Sequence, residues 1–281
     1  QPASLKAAIS GRLDELGGNV SLNEISLTDE QIRDIDHIII IGCGTSYHAG
    51  MMGRYVIEEL TGLPVFIEIG SEFRYSHFGL DERSLVIAVS QSGETADTLA
   101  AVRDAARCGA HVIAVTNVVG STLSREVNDT IYMRSGPEIG VAATKTFTSQ
   151  VVVLYMIAIL LGLARGSVSA GKGSKLIRAI KSLPAKAQQA LELESQVREM
   201  SGLFKDAGSF FLVGRHLNYP VALEGALKIK EISYVMSEGF AAGELKHGPL
   251  ALLTTGVPVI AIATDGELYE KMASNIREIK A

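Results

Sequence analysis

The fold of this chain is decided at residues 37–46, which read HIIIIGCGTS. Four consecutive isoleucines do not alternate with polar residues, so the pattern predicts a strand buried on both faces, as in a parallel sheet. The glycines that follow predict a tight turn into a helix over residues 47–60. Similar apolar runs predict further strands and helices along the first half of the chain. The strands are expected at 64–67, 85–89, 112–115 and 131–133, and the helices at 95–108 and 144–163.

The same arrangement recurs later in the chain. A shift of 172 residues places FFLVG at 210–214 on IIIIG at 38–42. One more residue of shift places the Gly-Glu pair at 266–267 on the Gly-Glu pair at 93–94. The identities are few, but their constant order indicates a duplicated domain rather than a chance likeness between two α/β units.

We therefore expect an α/β protein of two tandem domains, each a parallel sheet flanked by helices. Its parts are expected to be a helical lead-in at 1–34, a first domain at 35–165, a linker with helices at 166–205, and a second domain at 206–281. The second series stops at a point equivalent to Cys108 of the first. The second domain is therefore expected to be incomplete at its C-terminal end and to have fewer strands.

Local signals add detail outside the strands. A first helix is predicted over Ser4–Leu16, ended by Gly17 and Gly18. The spacing of residues 28–31, TDEQ, is that of a capping box for a second helix. Residues 165–174 have the composition of a linker, and the helical patterns that follow are expected to break at Pro184.

Charge and cysteine content narrow the class of function. Acidic residues outnumber basic ones, 31 to 26, so no basic face for nucleic acid is expected. Cys43 and Cys108 are the only cysteines, which predicts no disulfide framework and favours the cytoplasm. The apolar run at 151–164 has about 14 residues, fewer than the ~20 of a membrane span, and is interpreted as a buried helix. Histidines lack metal-ligand spacing, so no metal or cofactor is expected.

A hydroxyl-rich turn follows the predicted strand at 85–89. Residues 90–95 read SQSGET, which places Ser90, Gln91, Ser92 and Thr95 at the start of a helix. Free backbone N–H groups and a helix dipole at that position favour an anion. The loop has no lysine and no Walker A spacing, so a sugar monophosphate suits it better than a nucleotide triphosphate. The alternative is an ordinary helix cap.

The turn at residues 42–46, after the first predicted strand, has the same position relative to its strand as the SQSGET turn has to the strand at 85–89. Its start resembles a dinucleotide fingerprint, but Tyr47 occupies the third glycine position, which argues against that interpretation. A close-approach turn that brings Thr45 and Ser46 into the same crevice is favoured instead. Cys43 is interpreted as a small buried residue rather than as a nucleophile.

Acid–base residues cluster in the second half of the chain. Glu224, Lys228 and Glu231 are spaced by four and three residues, so they share one face of a helix. Such a pattern alone is usually a solvated ion-pair stripe. The nearby Glu244 and His247, held among small residues and followed by Gly-Pro, favour aldose–ketose isomerisation, which needs a carboxylate base and an imidazole.

These segments together resemble the isomerase part of the glucosamine-6-phosphate synthases (glutamine–fructose-6-phosphate amidotransferases), which consists of two tandem sugar-isomerase (SIS) domains. The matching motifs are GCGTSYHA from residue 42, SQSGET from 90, GVAATK from 140, and the long stretch from 224 to 250. SQSGET alone indicates only the SIS superfamily, whereas the stretch from 224 to 250 is far more specific. The resemblance covers essentially the whole chain.

The resemblance implies a role for each candidate residue. Those of the first domain would bind the substrate: Ser90, Gln91, Ser92 and Thr95 the phosphate, Ser46 a sugar hydroxyl, and the backbone of Val141 the sugar. Those of the second domain would carry the chemistry: Glu231 as the base between C1 and C2, Lys228 as its electrostatic partner, and His247 for ring opening. In this family the histidine reaches the site from the neighbouring subunit, which implies a homodimer.

The implied reaction converts fructose 6-phosphate and ammonia into glucosamine 6-phosphate. Three departures from the family pattern are visible. Ala143 stands where better-known members carry a serine. An N-terminal glutaminase domain and the C-terminal tail with its imine-forming lysine are both absent from the sequence, and are expected in the full-length protein. Two alternatives remain open: a fructosamine-phosphate deglycase, and a sugar-phosphate sensor without catalysis.

Overall fold

The computed structural model of this chain describes residues 1–264 and 266–280. These residues form two compact units. The first comprises residues 1–139 and 143–190, and the second comprises residues 140–142 and the chain from 191 onwards.

The first unit contains a five-stranded sheet with helices on both faces. In chain order its elements are α1 (Pro2–Ile9), β1 (Leu13–Asp14), β2 (Asn19–Val20), α2 (Asp29–Asp34), β3 (His37–Gly42), α3 (Thr45–Thr61), β4 (Val65–Ile69), α4 (Gly70–Phe73), β5 (Ser84–Ser90), α5 (Ala96–Arg107), β6 (His111–Thr116), α6 (Thr122–Arg125), β7 (Asp129–Tyr132), α7 (Lys145–Ala164) and α8 (Ala170–Leu191). The five strands and three helices predicted from 37 to 163 are therefore confirmed, with ends shifted by at most two residues.

The sheet of the first unit is parallel throughout, in the order β4-β3-β5-β6-β7. Ile38 of β3 is in register with Val65 of β4 and with Leu85 of β5. From β3 the chain continues to β4 on one side of β3, and then crosses to β5 on the other side. The boundary between β3 and β5 is therefore a topological switch point. In sheets of this kind ligands bind at the carboxyl ends of the strands at such a point.

One face of this sheet is covered by α3 and α7. Two glycines of α3 allow the close packing: a Cβ on Gly50 would lie 2.6 Å from Ile67, and a Cβ on Gly53 would lie 2.9 Å from Leu154 of α7. The helix α7 is long and apolar enough to cross a membrane, but most of its side chains lie in the core of the unit. The expected buried helix is thereby confirmed.

The opposite face of the sheet is covered by α5. Alternate residues of the strands, such as Ile39 and Val86, pack there against Leu99 and Val102 in a fully apolar cluster. Burial on both faces explains why the strands show continuous rather than alternating hydrophobicity.

The predicted helix over Ser4–Leu16 is wrong in its second half. The helix α1 ends at Ile9, and β1 and β2 form a short antiparallel hairpin. Gly11 adopts a φ of 73°, outside the helical region, and the guanidinium of Arg12 binds the Ala8 carbonyl and Glu24. The contact with Glu24, farther along the chain, outweighs the apolar spacing that favoured a longer helix.

Two further local predictions have different outcomes. The capping box is confirmed, because Thr28 and Gln31 exchange both of its hydrogen bonds. The predicted break at Pro184 is wrong, because α8 runs through it from Ala170 to Leu191. The buried residues of α8 end at Ile180, so the hydrogen bond that proline removes is lost beyond the buried part of the helix.

The second unit repeats the start of the first. In chain order its elements are α9 (Glu194–Gly202), β8 (Ser209–Gly214), α10 (Asn218–Ser233), β9 (Met236–Ala241), two 3₁₀-helices (Ala242–His247 and Pro249–Leu252), β10 (Val259–Ala261) and α11 (Tyr269–Lys280). Its parallel sheet has the order β10-β8-β9, which is the order β5-β3-β4 of the first unit. The duplication is confirmed, as is the smaller number of strands among the described residues.

Candidate functional site

The SQSGET turn is a compact loop at the carboxyl end of β5. Ser90 Oγ accepts a hydrogen bond from the Gly93 amide at 3.1 Å and lies 3.5 Å from Thr95 Oγ1. Ser92 Oγ accepts one from the Glu94 amide at 3.2 Å. The hydroxyl groups named by the sequence are therefore gathered into one turn before α5.

Neighbouring elements fix the backbone of this loop. Gly93 has a φ of 68°, and a Cβ there would lie 2.3 Å from Ser121 Oγ, so only glycine fits. The Glu94 carboxylate accepts a hydrogen bond from the Thr122 amide at 2.8 Å, which lowers the pKa of Glu94. The acid of the motif is thus engaged with α6 instead of facing an anion bound by the loop.

The first turn of α5 is available to an anion. Thr95 is the N-cap residue, yet among the described residues its side chain makes no capping hydrogen bond. The first N–H groups of a helix have no acceptor within the helix, and their dipoles favour negative charge. This geometry argues against the alternative of an ordinary serine/threonine cap.

The turn after β3 lies at the same edge of the sheet, because β3 and β5 are neighbours. Gly44 has a φ of 52° and is the N-cap of α3, so Thr45 is half-buried and Ser46 buried at the first helical positions. Ser46 Oγ accepts a hydrogen bond from Gln150 Nε2 at 2.8 Å. Cys43 is half-buried, with its sulfur 3.8 Å from Thr98 Oγ1, which links the two turns.

Val141 is exposed in the loop between β7 and α7. The carboxylate of Glu138 holds one end of this loop, because it accepts hydrogen bonds from the Thr144 and Thr146 amides and from Thr146 Oγ1 at 2.7 Å. Burial acts to raise the pKa of Glu138, but these hydrogen bonds and the charge of Lys145 outweigh it, so its pKa is lowered. Glu138 is not among the candidate residues named from the sequence; an acid shortly before a helix N-terminus was the available signal.

In the second unit, α10 places one ammonium group between two carboxylates. Lys228 Nζ lies 3.3 Å from Glu224 Oε1 and is in contact with Glu231 Oε2. The side chains of Glu224, Lys228 and Glu231 are only 7%, 18% and 27% exposed. This burial argues against a solvated ion-pair stripe, in which all three side chains would face water.

This cluster has the components of proton transfer. A carboxylate can take a proton from carbon, and a neighbouring ammonium group can stabilise the negative charge that develops on the substrate. Glu231 is at the less buried end of the trio, whereas Glu224 is almost fully enclosed. Glu231 is therefore the carboxylate that a substrate can reach more easily.

His247 lies at the end of a 3₁₀-helix and is exposed, as is Glu244 earlier in the same helix. Lys246 between them forms an ion pair of 3.9 Å with Glu278. The described contacts do not join His247 to Lys228 or Glu231. The sequence-based role of His247 in ring opening, supplied to a partner subunit, therefore stays a prediction.

Similarities to known proteins span the whole chain. Glutamine–fructose-6-phosphate aminotransferase (isomerizing) from Methanosarcina mazei is 50% identical over 281 residues, which are 100% of this chain and 46% of the relative. The enzyme of that name from Symbiobacterium thermophilum is 49% identical over the same shares. The chain thus spans about half the length of the curated relatives it matches.

A solved structure of a protein with a similar name also matches this chain over nearly its full length. The C-terminal domain of glucosamine-fructose-6-phosphate aminotransferase from Francisella tularensis superposes with a TM-score of 0.94 at 38% identity, over 99% of this chain and 78% of that one. The SIS domain family itself matches residues 31–160 and 203–281, one segment for each repeat of the sheet. The resemblance stated from the motifs is confirmed, and the chain belongs to the SIS domain family.

Proposed function

We propose that this chain is the isomerase part of a glutamine–fructose-6-phosphate aminotransferase, which converts fructose 6-phosphate and ammonia into glucosamine 6-phosphate. The observation that carries the proposal is the largely enclosed ammonium group of Lys228 between Glu224 and Glu231. The relatives that match this chain over its full length, at about half identity, bear the name of that activity.

In the proposal, the first unit binds the substrate. The hydroxyls of Ser90, Ser92 and Thr95, the amide of Gln91 and the open first turn of α5 suit a monophosphate, which neutral donors and a helix dipole can hold without a lysine. Thr45 and Ser46 bind the sugar from the adjacent turn. The family resemblance also assigns the sugar to the backbone at Val141, in the loop before α7, which is grouped with the second unit.

The second unit supplies proton transfer. Ammonia adds to the C2 carbonyl of the open-chain sugar and water leaves, which gives an imine at C2. Glu231 then takes a proton from C1 while the imine nitrogen gains one, and an enolamine forms across C1 and C2. Return of the proton from Glu231 to C2, with loss of the hydroxyl proton at C1, leaves an amine at C2 and an aldehyde at C1. Lys228 stabilises the negative charge that accompanies removal of the C1 proton, and His247 opens the sugar ring.

We include a homodimer and a cytoplasmic location in the proposal. The dimer rests on the family resemblance, which assigns His247 to the partner's site. The location is supported by Cys108, an exposed free thiol of the kind that reducing compartments preserve. Co-expression of a Glu231→Gln subunit with a His247→Ala subunit, each inactive alone, should restore part of the activity. Mixed dimers that are isolated and remain inactive would contradict a shared site.

The experiment that tests the function uses the protein from the complete gene. It is supplied with fructose 6-phosphate and either ammonia or glutamine, and glucosamine 6-phosphate is measured by mass spectrometry. We expect product with both nitrogen sources. Activity only on a fructosamine phosphate, in the direction of hydrolysis, would favour the deglycase instead. Sugar-phosphate binding with no turnover in any direction would favour the sensor.

A further inference from the structure

The helix α7 carries a buried amide in an apolar setting. Gln150 is 1% exposed, and the residues that follow it in α7 are almost all aliphatic. Its Nε2 group donates to Ser46 Oγ at 2.8 Å, and its Oε1 atom has no hydrogen-bond partner among the described residues. A buried polar atom without a partner costs free energy. A leucine would fill the space without that cost, so stability does not explain the amide.

The direction of the hydrogen bond matters for the hydroxyl of Ser46. In the observed orientation Ser46 Oγ accepts from the amide, so its own hydrogen is free to be donated elsewhere. The reverse orientation would direct that hydrogen to Oε1 and would leave the N–H donors of the amide without acceptors. Buried N–H groups without acceptors are rarer than carbonyl oxygens without donors, which favours the observed orientation.

Ser46 lies where a free hydroxyl hydrogen could be donated to a ligand. Ser46 is 7% exposed and occupies the first turn of α3, at the switch point beside the Ser90–Thr95 loop. Gln150 is 104 residues away in the sequence and approaches from α7, on the side of the core. The amide therefore holds the serine oxygen from behind.

We propose that Gln150 is a positioning residue for the sugar site: its amide fixes Ser46 Oγ as an acceptor and so presents the serine hydrogen to a hydroxyl oxygen of the sugar. This inference rests on the proposed function, because it takes the ligand of that turn to be a sugar phosphate. Gln150 itself touches no substrate. Its effect is exerted through Ser46 alone, and this separates it from a residue that merely supports the fold.

The test is a double-mutant cycle in the protein from the complete gene. Gln150→Leu should raise the KM for fructose 6-phosphate by about 3- to 10-fold, the effect of one hydrogen bond, with little change in kcat. Ser46→Ala should have a similar effect. The double variant should be no worse than Ser46→Ala, because Gln150 then has no hydroxyl to orient. Gln189→Leu, on the exposed part of α8, is the matched control and should change nothing.

Two further measurements distinguish a positioning role from unfolding and from an error in the proposed function. The melting temperature of Gln150→Leu should equal or exceed that of the wild type, so a weaker KM does not reflect unfolding. Calorimetric binding of fructose 6-phosphate should weaken by the same factor and needs no turnover. An unchanged KM, or additive effects in the cycle, would overturn the positioning role. Wild-type protein that binds without turnover would contradict the proposed function only, whereas wild-type protein that does not bind would overturn both.

Discussion

The two units build the same corner of backbone and place different side chains on it. In the first unit a Cβ on Gly42 would lie 2.7 Å from the backbone of Ser46; in the second, a Cβ on Gly214 would lie 2.1 Å from the backbone of Asn218. The two pairs are related by the same shift of 172 residues, as are Gly44 and His216, which both have a φ of 52°. The frame of the crevice is thus duplicated, including the positive φ at the third residue of the turn.

The side chains at this corner have diverged. At the repeat positions of Ser90 and Thr95 the second unit has Ala263 and Leu268, which can donate no side-chain hydrogen bond. Asn218 Nδ2 binds Thr264 Oγ1 at 2.9 Å, across the place where the first unit would hold its ligand. A cavity of about 300 Å³ remains beside them, but it lacks the hydroxyl cluster. The duplicated frame thus creates a crevice in each unit, whereas the turn residues decide whether that crevice suits a phosphate.

The largest expected effect is that of replacing the proposed base in the second unit, which should stop proton transfer without weakening substrate binding by the first unit. Glu231→Gln removes the proposed base at nearly constant size, so exchange of the C1 proton with deuterated water should fall by ~10²–10⁴-fold. Binding of fructose 6-phosphate should persist, because the phosphate loop is untouched. The control is Glu270→Gln, an exposed carboxylate in α11 of the same unit. Wild-type exchange in Glu231→Gln would remove Glu231 from the mechanism.

The next effect tests the difference between the two crevices. Replacing Ser92 and Thr95 together by alanine should weaken binding of fructose 6-phosphate by roughly 1–3 kcal/mol for each lost hydrogen bond to phosphate. Thr264→Ala, at the equivalent corner of the second unit, should leave the affinity unchanged. Titration calorimetry measures both. Equal losses would mean that the second crevice also binds the substrate phosphate.

A third prediction concerns what the crevices share. Gly42→Ala and Gly214→Ala each force a methyl group against the backbone of the following helix. Each should lower the free energy of unfolding by about 1–3 kcal/mol, the range for overpacking. Gly202→Ala, at a glycine with no atom within 4 Å of its added Cβ, is the control. Chemical denaturation gives the values. A large loss at one glycine and none at the other would show that the duplicated frames differ in rigidity.

The smallest effect distinguishes Glu94 from its repeat partner Glu267. The hydrogen bond from Thr122 lowers the pKa of Glu94 below its ordinary value of 4.5. The hydrogen bond between the Thr122 amide and the ionised Glu94 carboxylate is fully present above pH 4.5. It is lost as the pH falls through the lower pKa that Glu94 has in the folded state. Glu94→Gln should weaken phosphate binding about two-fold at neutral pH, and Glu267→Gln should not. Affinities measured from pH 7 to pH 4 would contradict this if Glu94→Gln matched the wild type throughout.

The sequence predicted the strands well because burial on both faces leaves a local trace, the unbroken apolar run at residues such as 38–41. It predicted the phosphate loop because hydroxyl groups at a strand end are also a local pattern. It failed at Ile9, where α1 ends, because the guanidinium of Arg12 is held by Glu24 beyond the turn. It gave no indication that Gln150 would reach Ser46, since only the packing of α7 on α3 brings them together.

The packing of α7 on α3 also has a consequence for synthesis. The helix α3 ends at Thr61, whereas α7 begins only at Lys145, so translation must add the strands between before the partner of Gly53 exists. At ordinary elongation rates that interval is on the order of 10 s. During it, the part of the apolar face that α7 later covers is exposed to water. The nascent unit is therefore open to aggregation until α7 emerges.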